Sequence, residues 1–88
     1  MSVYRVVTLD GNEILRSLDL FVVCARWVKD PDRQRVEEMQ VGTNTVLREV
    51  ARKECCATLR SGLPGNKHLH ATERTDLEDA VRKACGSS

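Results

Sequence analysis

Val3-Tyr4-Arg5-Val6-Val7-Thr8-Leu9 runs straight into Asp10-Gly11, and the reading of this stretch decides the fold. Its β-branched residues favour a strand. Asp-Gly is a strong short hairpin signal, because a tight type I′ turn needs positive φ and glycine supplies it. The segment that follows, Glu13-Ile14-Leu15-Arg16-Ser17-Leu18, reads as the returning strand. It also reads as the opening of a helix capped by Asn12. The hairpin is the preferred reading.

Beyond the hairpin, Ser17 or Asp19 can cap a helix over 19–29. Leu18, Phe21, Val22, Ala25 and Val28 recur at spacings of three and four and form one helical face. Pro31 ends the helix, because the residue before a proline avoids helical geometry. Residues 34–41 carry Val36, Met39 and Val41 and fit a half-exposed strand, closed by Gly42-Thr43-Asn44. Residues 45–50 allow two readings. A strand can return through the Gly42 turn. Alternatively, Thr43 or Asn44 caps a helix whose stripe is Leu47, Val50, Ala51, Cys55 and Leu59, and this longer pattern favours the helix. Residues 61–66, Ser-Gly-Leu-Pro-Gly-Asn, read as a loop. Thr75-Asp76-Leu77-Glu78 has the form of a capping box and predicts a last helix with Leu77, Ala80, Val81 and Ala84 on its buried side. No internal repeat is evident.

The expected architecture is a single α+β domain over 1–88. It has a small antiparallel sheet, with strands near 3–9, 13–18 and 34–41, and two or three helices packed on it. The chain has 88 residues, 41% hydrophobic and 31% charged, a composition suited to one packed domain and unlike a disordered chain. Its longest nearly apolar run, 20–28, is far shorter than the ~20 residues that span a bilayer, so no membrane partner is expected. The N-terminus lacks a basic region followed by an apolar stretch. A cytoplasmic setting with all four thiols reduced is the expectation that follows.

Chemistry-bearing clusters are sparse. Cys55-Cys56, His68, His70 and Cys85 offer metal-ligand atoms, but adjacent cysteines do not have the usual spacing of a zinc pair. Cys56 with either histidine lacks the local signature of a thiol nucleophile. No metal, cofactor or catalytic residue is assigned, and a non-enzymatic protein is expected.

Two binding functions remain. The favoured one is a protein–protein interaction or regulatory module that associates with itself, as a homodimer, or with another protein. If the face 18/21/22/25/28 covers the sheet, then Leu20, Val23 and Trp27 are left over. Tryptophan is also a residue type enriched at binding hot spots. The alternative is a weakly basic nucleic-acid-binding regulator using Arg48, Arg52, Lys53, Arg60 and Lys67. Against it, the net charge is only +1 and aromatic residues are 3% of the chain, which leaves little for base stacking.

Overall fold

In the computed structural model, which describes residues 2–66 and 69–86, the chain runs β1 (Ser2–Thr8), β2 (Glu13–Ser17), α1 (Leu20–Trp27), β3 (Gln34–Gln40), β4 (Val46–Val50), α2 (Arg52–Gly62) and α3 (Ala71–Cys85). The strands form one sheet in the order β2-β1-β3-β4, and every neighbouring pair is antiparallel. The α+β architecture and the positions of the first three strands agree with the sequence reading. The element order also repeats: a ββα unit occurs twice and α3 follows. In each unit the first strand lies at the centre of the sheet and the second at an edge.

The first hairpin forms as expected, with a different turn. The Thr8 amide donates to Asn12 O at 2.9 Å and the Gly11 amide to Thr8 O at 2.9 Å. Gly11 holds φ +90°. The loop therefore has three residues with glycine in the left-handed position, the next most common hairpin after the two-residue form. Asp19 caps α1, accepting from the Phe21 amide at 3.0 Å.

The segment 45–50 is a strand, which corrects the favoured helix. Val50 pairs with Val36 and Arg48 with Glu38, and a bulge places Leu47 as an extra residue before Val46 meets Met39. The spacing that suggested a helix straddles an element boundary. Val50 ends β4, whereas Cys55 and Leu59 belong to α2, which starts only after Ala51. The first hairpin has a matching bulge at Ile14.

Two helix boundaries move as well. Ser61 and Gly62, expected in a loop, are the last residues of α2. A Cβ on Gly62 would stand 2.4 Å from the Phe21 ring, so glycine lets α2 close on α1 at this point. The last helix starts at Ala71, after His70, and Thr75 is not its cap. The Thr75 hydroxyl instead donates to Ala71 O at 2.9 Å within the helix, the back-bonding geometry of a helix interior. Arg74 holds the turn before α3, donating to the carbonyls of Leu63 and Asn66.

α1 packs on β1, β2 and β3, and α2 packs on α1 and α3. The main core lies between sheet and helices. It joins Val6, Val36 and Val50 to Phe21, Val23, Cys24, Trp27, Cys55, Cys56, Leu59, Leu77 and Val81. Among the described residues no helix lies over the opposite face of the sheet, yet Val7 and Met39 on it are fully buried. Long side chains roof them. Arg5 bonds Glu37 at 2.8 Å and Arg35 bonds the other Glu37 oxygen at 3.1 Å. Arg16 bonds Glu13 at 2.7 Å and lies 3.9 Å from the Met39 sulfur. The aliphatic stems of these arginines cover apolar surface while their heads stay paired.

Candidate functional site

The structure places the residues expected at an interface inside the molecule. Val23 is fully buried, Trp27 is 4% exposed, and Leu20 is half-buried against the core. The predicted helical face is reversed at two positions, because Leu18 is 65% and Val22 41% exposed. The reason is α2. A helix lying only on a sheet buries one stripe, whereas α1 is covered by the sheet on one side and by α2 on another. Leu63 is also buried in the same core and Leu69 packs against it, so residues C-terminal to α2 complete the cover.

The surplus apolar surface lies elsewhere. The large exposed hydrophobic side chains are Leu9, Leu18, Val22, Val41, Val46 and Leu47. The pairing registers put the start of β1 beside the ends of β2 and β3, and the start of β4 beside Met39. Leu18 follows β2, Val41 follows β3, Val46 and Leu47 open β4, and Val22 is in the first turn of α1. Among the described residues, Leu18, Val41, Val46 and Leu47 therefore lie at one end of the sheet, spread across its width from the β2 edge to the β4 edge, with Val22 on the first turn of α1, and Leu9 sits at the other end. β4 adds an outer edge on which every residue except Val50 is exposed.

The basic positions do not all share a face: Arg52, Lys53 and Arg60 line one groove, and Arg48 stands apart from them. Arg48 is on β4, bound to Glu38 at 2.7 Å and to Glu54 at 2.8 Å. Arg52, on α2, bonds Asp32 at 3.2 Å and Ala84 O at 3.3 Å, with its guanidinium 5.8 Å from the Trp27 ring centroid. Arg60 donates to Cys85 O and Gly86 O at 3.2 and 2.9 Å, which satisfies carbonyls at the end of α3. With Lys53, these two line a shallow groove of about 540 Å³ beside Cys56 and Cys85. Lys67 and His68 lie outside the described residues.

The clamp on Arg48 sets the acid response of this corner. The Glu38 carboxyl is held below its ordinary value of 4.5, first by the Ser2 hydroxyl and then by Arg48. The Arg48 guanidinium holds Glu54 below it as well. A carboxylate with a depressed folded pKa contributes stability above its unfolded value, and that contribution fades as pH falls through the folded one. The wild-type denaturation midpoint should therefore stay level from pH 7 to about 5 and decline below about 4.5. Arg48→Met should make that acid decline shallower. A variant curve as steep as the wild type would detach the effect from this clamp.

The cysteines correct the expectation of four reduced thiols. Cys56 and Cys85 form a disulfide with a Cα separation of 5.9 Å, linking α2 to α3. Neither sulfur is then available as a thiolate ligand or nucleophile, which removes Cys56 from the combination with His68 and His70. His70 itself is exposed immediately before α3. Cys24 and Cys55 are buried and free. The Cys24 thiol pKa is raised, first by its hydrogen bond with Cys55 and then by burial.

Among the described residues, no helix is long and apolar enough to cross a membrane. No family model, curated protein or solved structure matches the chain.

Proposed function

We propose that this chain is a small binding protein, not an enzyme, that associates with a second copy of itself through the apolar end of its sheet. The observation that carries the reading is the exposure of Leu18, Val41, Val46 and Leu47 along one end of the sheet, with Val22 exposed on the helix that follows β2. Apolar residues grouped on a surface mark interaction sites more often than ones scattered singly, and two-fold closure is the commonest way for identical chains to use one. Side-chain burial, rather than strand addition along β4, is the mode that fits. The Leu47 bulge interrupts the edge that an incoming strand would need to follow, a device that commonly blunts edges.

The disulfide also bears on the setting. Disulfides form and persist in oxidising compartments and are rare in the cytosol, so the Cys56–Cys85 bond favours an oxidising compartment over the cytoplasm.

Sedimentation of the purified chain across a concentration series tests the self-association. A dimer is the expected result, with Leu47→Lys giving a folded monomer because Leu47 is 52% exposed. A wild-type chain that remains a monomer at high concentration removes the proposal. Titration with generic DNA and RNA at two salt concentrations tests the other reading. Binding that falls steeply with salt is the mark of released counterions and would favour nucleic acid as the partner.

A further inference from the structure

Cys55 and Cys56 are neighbours on α2, and successive side chains on an α-helix point about 100° apart. The two thiols therefore address different neighbours. Cys56 reaches α3 and is bonded to Cys85. Cys55 lies in the same buried cluster as Cys24 of α1, the helix against which α2 packs, and Cys55 is the first cause that holds the Cys24 thiol up. Both free cysteines are buried, Cys24 fully and Cys55 with 1% exposure. Each cysteine of α2 thus faces the single cysteine of an adjacent helix. The adjacent pair, so unsuited to gripping one metal ion, is well placed to act as a two-way junction.

We propose that Cys24 and Cys55 are joined by a second disulfide when the chain matures under the conditions that form Cys56–Cys85, so that α1, α2 and α3 become covalently linked in series. The reaction is thiol–disulfide exchange with an external disulfide, either a small molecule such as glutathione disulfide or a protein oxidant. The thiolate of one cysteine attacks the external disulfide, forming a mixed disulfide and releasing one thiol. The thiolate of the other then attacks the protein sulfur of that mixed bond and releases the second thiol. Cys24 and Cys55 lose two protons and two electrons, and the external disulfide gains them as two thiols. Thiolates are the attacking species, and burial of the pair disfavours them. The exchange therefore takes place before α1 and α2 close over the two sulfurs, or during local opening of α1. The inference is independent of self-association.

The test is oxidative refolding of the reduced, denatured full chain in a mixture of reduced and oxidised glutathione. The reaction is quenched with acid, alkylated in guanidinium and read by mass. The expected product carries no alkyl group, against two if only Cys56–Cys85 forms. A Cys56→Ser variant resolves the connectivity. After cleavage at lysine and arginine, peptide 17–26 should be linked to peptide 54–60, with Cys85 alkylated. Alkylation of both Cys24 and Cys55, or a bond from Cys24 to any cysteine other than Cys55, overturns the proposal. If the variant does not refold, the wild-type chain decides: two alkyl groups overturn the proposal, and with none, fragmentation of the linked peptides 17–26, 54–60 and 84–88 must place Cys24 on Cys55.

Discussion

Val23→Lys should unfold the chain, whereas Val22→Lys should leave it folded. The two positions are adjacent on α1, but Val23 is fully buried and Val22 is 41% exposed. An ammonium group at position 23 would sit in a core cluster whose buried members are all apolar side chains or cysteines. Burying an unpaired charge belongs to the short list of changes that cost more than about 4 kcal/mol, and an 88-residue domain has only about 5–15 kcal/mol of stability to lose. At position 22 the side chain reaches water, and a change within about 0.5 kcal/mol is expected. Circular dichroism with urea denaturation reads both. A Val23→Lys chain that is folded but monomeric would mean that the leftover face of α1 is an interface after all.

Loss of the Cys56–Cys85 bond should cost about 3–4 kcal/mol, the chain-entropy value for a loop of this size. The cysteines are separated by 29 positions. The effect should concentrate on α3, which packs principally on α2 and contributes only Leu77 and Val81 as buried apolar residues. In the Cys56→Ala/Cys85→Ala double variant, amides of α3 should exchange hydrogen faster than those of β1 and β3, and the urea midpoint should fall. Uniform loss of protection across the molecule would show that α3 is not a separately held element.

How far the sequence could be read follows from how local each signal is. Asp10-Gly11 and Asp19 act on their immediate neighbours, so the first hairpin and the start of α1 were legible. β4 was not, because Leu47, Val50, Cys55 and Leu59 keep helical spacing across a strand–helix junction. The bulge at Leu47 produces part of that spacing by shifting the alternation of the strand. Thr75 and Glu78 satisfy a capping box by type and distance, yet the helix already begins at Ala71, where no side-chain cap signals it. The disulfide partners meet only because α2 and α3 pack together, and no spacing within one element announces that. The apolar end of the sheet was hidden for the same reason. Leu18, Val41, Val46 and Leu47 come from separate stretches, and only the strand registers bring them to one end of the sheet.

The central pairing of the sheet also governs the order in which the chain can assemble. β1 and β3 hold the two ββα units together, and their paired residues Arg5 and Glu37 lie 32 positions apart. Until β3 arrives, the first unit leaves one edge of β1 without hydrogen-bond partners and leaves the roof over Val7 without Arg35 and Glu37. Closing that long loop must precede the contacts that reward it, the circumstance that slows folding of β-rich topologies. A ribosome releasing the chain from its N-terminus therefore presents a hairpin and a short helix that cannot complete their own sheet. The decisive step waits for the second unit to emerge, and in that interval the open inner edge of β1 is the part of the nascent chain most exposed to mispairing.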